Sequence, residues 1–316
     1  MRAQRVSGPA GERGFAMVAV LLVLALIGLL GAEFAYSMRL EARAARNYKD
    51  TVMAGHLAEA ALENAIREIV GQGTLVAEGE DGELTFYARD RAALKRLPRE
   101  AVPLGDGQYS YRITDEAARL NVNSIAPQRL DRLLQLMDVD QQERDTIVAS
   151  IQDWRDANDE HRANGAESDD YYLKLPVPYR ARNANLDSIN ELLQIKGITP
   201  ALFHGTPEKP GLADLVTVVG QNININTASK LVLSTLGLSD AEILEIQATR
   251  REVPYINVGR FGGARVQGLV ANTKTYRIEA MGILDGKPRA RLTAIVETMD
   301  DLNLPAVRVL SWSGVR

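Results

Sequence analysis

Residues 11–33 read GERGFAMVAVLLVLALIGLLGAE, and this segment sets the architecture of the whole chain. Phe15 opens an uncharged run that continues to Ala32, and Glu33 closes it. A helical run of about 18 apolar residues is just long enough to cross the hydrocarbon core of a membrane. The sequence therefore predicts a transmembrane helix at residues 15–32.

The residues before this run are basic, with one acidic side chain, Glu12, against Arg2, Arg5 and Arg13. Positive residues next to a membrane helix stay in the cytoplasm. We therefore expect a single-pass protein of the inner membrane, with a cytoplasmic N-terminus and with everything after Glu33 in the periplasm.

Two processing schemes are open at this N-terminus. A removable secretory signal is cut after its apolar stretch at a small-x-small site, and the triplets around Ala32 fit that pattern poorly. A cut before the stretch, between Gly14 and Phe15, would instead leave a mature chain that begins with the membrane helix. We favour this second scheme, with residues 1–14 as a leader.

Composition narrows the function further. The 316 residues contain no cysteine, so disulfides and thiolate metal sites are excluded. The whole chain carries 37 basic and 41 acidic side chains, and removal of the leader leaves 34 and 40. A general nucleic-acid binder is normally basic, so we expect no nucleic-acid partner.

After Glu33 the chain continues as a helix to about Val70, where Gly71-Gln72-Gly73 ends it. One face of this exported helix is apolar at helical spacing: Ala54, Leu57, Ala58, Ala61, Leu62, Ala65, Ile66 and Ile69. This face must pack against the chain's own sheet or against neighbouring subunits.

Strand patterns lie on both sides of a long helical region. They cover Leu84–Tyr87, Tyr109–Ile113, Thr275–Leu284, Ala290–Val296 and Ala306–Ser311, with Asp285-Gly286 as a hairpin turn. We predict one antiparallel sheet packed on the exported helix. Residues 33–114 and 272–316 then form one domain, and residues 115–271 form an α-helical insertion.

The insertion contains an internal repeat. Leu120-Asn121-Val122-Asn123-Ser124 matches Ile223-Asn224-Ile225-Asn226-Thr227, each followed by apolar helical spacing, and residues 186–198 form a partial third copy. We expect Ser124, Ser188 and Thr227 to cap helices. The repeats predict small hairpins similar to helix-hairpin-helix units.

Helix-hairpin-helix units often bind DNA through a glycine-rich turn whose N–H groups approach a phosphate, and such contacts supply most non-specific affinity. Here the turn at residues 196–200 keeps one glycine, the turn at 236–240 becomes acidic, and the turn at 137–140 has no glycine. We therefore interpret the hairpins as packing units, with DNA binding as the alternative.

The densest acidic segment is residues 151–172, with seven carboxylates against Arg155 and Arg162. Oxygen ligands at loop spacing suit calcium, although the EF-hand spacing is absent. A solvated acidic loop is the alternative. Trp154, Tyr171 and Tyr172 favour the ion, because apolar anchors would keep the loop folded.

Motifs for catalysis are missing from the sequence. His56, His161 and His204 are far apart, and none lies in a metal or triad motif. The sequence therefore predicts a protein that is not an enzyme.

Four features occur in a specific order along the chain: the leader and helix, residues 115–123, the acidic motifs at 153–156 and 165–172, and residues 224–228. Together they resemble the K-type minor pseudopilins of the type II secretion system. The resemblance implies an α+β fold, in which a pilin-like long N-terminal helix packs on an antiparallel sheet with a large inserted α-helical domain of helix-hairpin-helix-like (SAM-like) units. It also implies cleavage by a prepilin peptidase, N-methylation of Phe15, and assembly with I-type and J-type pseudopilins at the pseudopilus tip, where folded proteins are exported.

The resemblance further implies bound calcium in the helical domain, with the ligands Asp153, Asp156, Asn158, Glu167, Asp169 and Asp170. Pilins usually carry glutamate at the fifth mature position, and here that position is Ala19. An unpaired charge in an apolar filament core is costly, so a subunit without this glutamate is best suited to the tip, where it would initiate assembly. A minor pilin of a type IV pilus or competence system, with DNA-binding hairpins, is the alternative.

Overall fold

The computed structural model describes residues 12–79, 82–263, 266–299 and 306–314, with side chains from Phe15 onward. Residues 1–11 of the predicted leader lie outside the described residues. The helices are α1 Glu12–Gln72, α2 Pro127–Leu136, α3 Gln141–Arg155, α4 Pro200–His204, α5 Leu212–Leu215, α6 Lys230–Ser234 and α7 Asp240–Glu252. Short 3-10 helices span Glu116–Ala118, Tyr172–Lys174, Ile189–Gln194 and Gly259–Phe261.

The strands are β1 Val76–Glu78, β2 Leu84–Phe86, β3 Val102–Leu104, β4 Gly107–Asp115, β5 Leu120–Asn121, β6 Gly205–Thr206, β7 Lys209–Pro210, β8 Val216–Thr217, β9 Ile223–Asn224, β10 Leu269–Val270, β11 Thr275–Leu284, β12 Lys287–Met299 and β13 Ala306–Ser313.

The long helix α1 runs for 61 residues, which corresponds to about 90 Å. Residues 15–49 of the helix are exposed, whereas the predicted apolar face from Ala54 to Ile69 is buried, with Ile66 half-buried. The helix ends where Gly73 takes a φ of +89°, a conformation that glycine adopts without steric cost.

The main sheet has five antiparallel strands in the order β13-β12-β11-β4-β3. The buried part of α1 packs on this sheet, and its apolar residues share a core with those of β4, β11 and β12. The helix and the sheet backbone touch at Gly282, where a Cβ atom would stand 1.9 Å from the carbonyl oxygen of Ala54.

One strand prediction needs correction, and one strand of the main sheet was not predicted. Leu84–Phe86 is a strand, but it pairs with β1 in a separate two-stranded sheet, because β1 follows α1 directly and forms a local hairpin with it. One edge of the main sheet is β3, Val102–Leu104. Its three residues include Pro103, and so short a run gives no period-two pattern in the sequence.

The inserted region has its own hydrophobic core, formed by residues between Leu120 and Ala271. It contains two related units. In the first unit, β5 pairs in parallel with β8, and the α2–α3 hairpin lies between these strands in the sequence. In the second unit, β9 pairs in parallel with β10, and α6 and α7 lie between them.

The second asparagine of each Asn-x-Asn motif holds its unit closed. The Asn123 amide accepts from the Leu186 N–H (2.8 Å) and donates to the Leu186 and Val218 carbonyls (2.9 and 3.2 Å). The Asn226 amide likewise accepts from the Tyr255 N–H (2.8 Å) and donates to two carbonyl oxygens, both at 2.9 Å. The sequence repeat therefore corresponds to a structural repeat.

The predicted helix caps are correct in one case of three. Ser188 forms a capping box with Glu191. The N-cap of α2 is Ala126, because Pro127 occupies the first helical turn, and the N-cap of α6 is Ser229. The hydroxyl of Thr227 instead donates to the buried carboxylate of Asp115 at 2.6 Å.

Candidate functional site

The acidic segment begins inside the last turn of α3. Asp153 is fully buried there, and its carboxylate accepts hydrogen bonds from the backbone N–H groups of Arg162 and Ala166, at 3.1 and 2.9 Å. The loop approaches so closely at Gly165 that a Cβ atom would stand 1.9 Å from Asp153 Oδ2. Asp153 thus organises the loop that follows it.

The guanidinium of Arg162 bridges two of the carboxylates. Its Nη1 lies 2.6 Å from Asp153 Oδ1 and also donates to Asp156 Oδ2. These hydrogen bonds, first to Asp153 and then to Asp156, raise the pKa of Arg162 above its usual value. The positive charge between the two aspartates is therefore an arginine of the same loop.

Glu167 has no such counter-charge. Its side chain is buried, at 2% exposure, and neither carboxylate oxygen has a hydrogen-bond partner among the described residues. Burial, followed by the charges of Asp153 and Asp156, raises the pKa of Glu167 to about 7. A buried carboxylate without partners is costly, so this position favours a bound cation.

Aromatic side chains pack against the acidic loop. Trp154 and Tyr172 are buried and pack edge to face with ring centroids 5.2 Å apart. Lys196 donates to the Gly165 carbonyl at 2.9 Å, and its ammonium lies 4.9 Å from the centre of the Tyr171 ring. These contacts anchor the acidic segment on both sides.

Of the six predicted calcium ligands, Asp153 and Asp156 share the guanidinium of Arg162, and the charges of both aspartates raise the pKa of Glu167. Asp170 contacts the backbone of Glu167, since its Oδ1 accepts the N–H of Glu167 at 2.8 Å. One Asp156 oxygen, Oδ1, is also buried without a partner among the described residues.

The other two predicted ligands face elsewhere. Asn158 is exposed and its side-chain oxygen accepts the N–H of Glu160, while the Asp169 side chain is 84% exposed. Asp159, which the sequence did not single out as a ligand, is close enough to raise the pKa of Glu167 further. Because Asn158 and Asp159 are adjacent in the sequence, only the folded path of the loop distinguishes them as candidate ligands.

As they stand, no three histidine or carboxylate side chains in the described part of the chain form a metal-binding group. The oxygens of Asp153, Asp156 and Glu167 are nevertheless hard donors of the kind that calcium prefers. Three of these oxygens are buried and have no partner within the ranges that the structure covers. The donor set fits calcium, provided that Arg162 gives way.

The predicted processing site lies at the start of α1. Gly14 is helical in its backbone, Phe15 is 79% exposed, and Ala19 is exposed. The helix contains a stretch with mean hydropathy 2.8, none of it buried, which is long and apolar enough to cross a membrane. This is compatible with a single-pass anchor.

Beyond the predicted span, α1 still presents apolar side chains that the sheet does not cover. They are more than 40% exposed and comprise Phe34, Tyr36, Met38, Leu40 and Tyr48. Exposed apolar side chains in this number along one segment of helix indicate an interaction surface.

The hairpin turns are engaged in contacts within the fold. Asp138, in the α2–α3 turn, pairs with Lys209 at 2.6 Å. Gly197, with φ +91°, lies so close to Ile147 that a Cβ atom would stand 2.8 Å from its Cγ1. Two of the three predicted turns therefore contact other parts of the insertion, and the role of the hairpins as packing units stays a prediction.

Proteins of known family are similar to this chain in sequence and in fold. Residues 111–206 match the family described as type II secretion system (T2SS), protein K. The chain is 28% identical over 268 residues to type II secretion system protein K of Pectobacterium carotovorum subsp. carotovorum, covering 77% of this chain and 76% of that relative. It is 27% identical over 246 residues to the protein of the same name from Pseudomonas aeruginosa, covering 72% and 68%. These names describe components of a secretion system and no enzyme.

The fold is similar to a chain in the crystal structure of the GspK-GspI-GspJ complex from the enterotoxigenic Escherichia coli type 2 secretion system. The TM-score is 0.65 at 18% sequence identity, and the match covers 86% of this chain and 98% of that chain. The match confirms the predicted α+β fold class, with its long N-terminal helix, antiparallel sheet and helical domain.

Proposed function

Because this chain belongs to the protein K family of the type II secretion system, we propose that it is the minor pseudopilin at the tip of the pseudopilus. There it initiates assembly together with I-type and J-type pseudopilins and helps to export folded proteins. The role is structural and not enzymatic.

The observation that carries this proposal is the division of α1. Its segment from Ala54 to Ile69 is buried on the chain's own sheet, whereas the apolar residues from Phe15 to Tyr48 are exposed. A helix that is apolar and uncovered over such a length needs lipid or other helices around it. We infer that the first part anchors the protein in the membrane and that residues 33–53 pack against sister pseudopilins.

We propose the same processing as for other prepilins. A peptidase would cut between Gly14 and Phe15, and Phe15 would be N-methylated. The protein would lie in the inner membrane with its N-terminus in the cytoplasm and its folded part in the periplasm, as the basic leader indicates.

Ala19 supports a place at the tip. A methyl group at the fifth mature position cannot offset the N-terminal ammonium of a neighbouring subunit in an apolar core, where an unpaired charge is costly. The protein is therefore poorly suited to adding beneath an existing subunit.

Co-expression with the I-type and J-type pseudopilins of the same system tests the assembly role. We expect the three full-length proteins to co-purify in detergent as one stable complex. A chain that elutes alone would contradict the assembly role, and binding of duplex DNA at physiological salt would favour the competence pilin with DNA-binding hairpins.

We also propose that calcium binds in the acidic loop, held by Asp153, Asp156 and Glu167, with Asp159 and Asp170 beside them. Its two positive charges would neutralise carboxylates that otherwise repel one another. Since a ligand that binds only the folded state stabilises it, excess chelator should lower the melting temperature and calcium should restore it. An unchanged melting curve would remove the site.

A further inference from the structure

We propose that Arg162 is a built-in competitor for the cation: it neutralises Asp153 and Asp156 while calcium is absent, and calcium must displace it in order to bind. This inference rests on the calcium site proposed above and concerns a residue that the predicted ligand set does not include.

The geometry of the two aspartates carries the first step. One guanidinium nitrogen of Arg162 contacts both carboxylates, at 2.6 Å from Asp153 Oδ1 and on the Oδ2 of Asp156. Asp153 is fully buried and accepts two backbone N–H groups as well. A charge-assisted contact at this distance is among the stronger hydrogen bonds in proteins, so the arginine holds the loop closed without a metal.

The second step follows from coordination chemistry. Calcium binds oxygens at 2.3–2.6 Å, and Arg162 contacts one oxygen of each carboxylate that would hold the ion, Asp153 Oδ1 and Asp156 Oδ2. A guanidinium and a calcium ion at the same pair of carboxylates would repel each other strongly. Binding is therefore an exchange of one cation for the other.

Glu167 favours calcium over the guanidinium of Arg162 in this exchange. Its two oxygens have no hydrogen-bond partner among the described residues, and Arg162 contacts neither of them in the structure. A divalent ion that reaches all three carboxylates satisfies a group that the arginine leaves without a partner. Calcium thus gains a ligand that the guanidinium does not use.

The displaced side chain has a place to go. A groove of about 520 Å³ opens beside it between α2 and α3, and Arg162, Ala163 and Asn164 form one wall. Asp131 and Asp145 also line this groove. The Arg162 side chain is already 41% exposed, so it can turn into this groove while the buried core stays intact.

Calorimetric titration of calcium into the full-length protein in detergent tests the exchange. We expect Arg162→Gln to bind calcium about tenfold more tightly than the unchanged protein, since a hydrogen bond to a charged group is worth about that factor. In chelator, the same variant should melt at a lower temperature. Arg162→Lys keeps the charge without the two-carboxylate contact and should lie between the two.

Arg182→Gln is the matched control, because Arg182 also pairs with two carboxylates, Asp187 and Glu191, outside the loop. Its calcium affinity should equal that of the unchanged protein. If Arg162→Gln folds only when calcium is present, the competitor role is supported by that dependence, and Arg162→Lys supplies the affinity comparison.

The outcomes separate the two proposals. Equal calcium affinity in the unchanged protein and in Arg162→Gln would overturn the competitor role while the calcium site stands. Absence of calcium binding in both proteins would overturn the site and the competitor together.

Discussion

Gly282 of β11 lies directly beneath Ala54 of α1, so close that a Cβ atom on the glycine would stand 1.9 Å from the Ala54 carbonyl oxygen and 2.8 Å from its carbonyl carbon. This contact joins helix backbone to sheet backbone at the point where α1 first becomes buried. It marks the boundary between the part of α1 that packs on the sheet and the exposed part, which we propose serves as membrane anchor and assembly surface.

Replacing Gly282 by alanine should therefore force the helix away from the sheet. We expect a loss of about 1–3 kcal/mol in the free energy of unfolding, as for other overpacked sites, measured by thermal unfolding in detergent. Gly71→Ala is the control, because a Cβ atom at this position in the last turn of α1 would meet no described atom within 4 Å outside its own helix. Alanine there should stabilise the helix by about 0.5–1 kcal/mol.

Glu68 and Arg99 form a buried ion pair between α1 and the loop before β3. The carboxylate accepts two guanidinium hydrogen bonds, at 2.8 and 3.0 Å, and a third from the Tyr111 hydroxyl. Arg99→Leu leaves the buried Glu68 charge without its cation and should cost about 3–5 kcal/mol. Chemical denaturation measures the loss.

Arg308→Leu provides the comparison, since Arg308 pairs with Glu297 at the surface of the sheet. Surface ion pairs contribute about 0–1 kcal/mol. Similar losses in the free energy of unfolding in both variants would show that the Glu68–Arg99 pair does not hold α1 in place.

Asn123 and Asn226, which hold the two units of the insertion closed, should be equally sensitive to substitution. Asn226→Ala leaves two carbonyl groups and one N–H without their partner, and each unsatisfied buried group costs about 1–3 kcal/mol. Asn123→Ala should destabilise the first unit in the same way. Asn190→Ala, at an exposed position, should leave the melting temperature unchanged, and comparable melting of all three variants would contradict this role.

Glu167 makes the calcium-free protein sensitive to pH. Burial and the neighbouring aspartates raise its folded pKa from 4.5 to about 7. Because the folded state then holds the proton more tightly than the unfolded state, the Glu167 contribution favours folding below pH 4.5 and is lost as the pH rises to about 7. In chelator, Glu167→Gln should therefore melt at a higher temperature than the unchanged protein at pH 8, with the difference vanishing near pH 4. A constant difference across that range would contradict the shift.

Local patterns were sufficient for much of the fold. Thr275–Leu284 was predicted with the bounds that the structure shows, because clean alternation and the Asp285-Gly286 turn both depend on neighbouring residues alone. The strand at Leu84 was predicted as well, but its partner was not, since pairing with Val76 depends on how α1 ends. Thr227 was assigned to a cap because its buried acceptor, Asp115, is 112 residues away in the sequence.

The acidic loop shows the same limit. Composition identified the segment, and Asp153 and Asp156 share the guanidinium of Arg162. Which carboxylates Arg162 contacts, and that the charge of Asp159 acts on Glu167, depend on the path of the loop. No spacing rule in the sequence encodes that path.

The role at the pseudopilus tip requires that the apolar helix is retained in the mature protein, where it becomes the element that assembles. Mass analysis of the N-terminal peptide, from protein isolated from the membranes of its own host, measures this directly. We expect the mature chain to begin at an N-methylated Phe15. A mature chain that begins after Ala32 would contradict this role, because the protein would then have lost the helix by which it joins the pseudopilus.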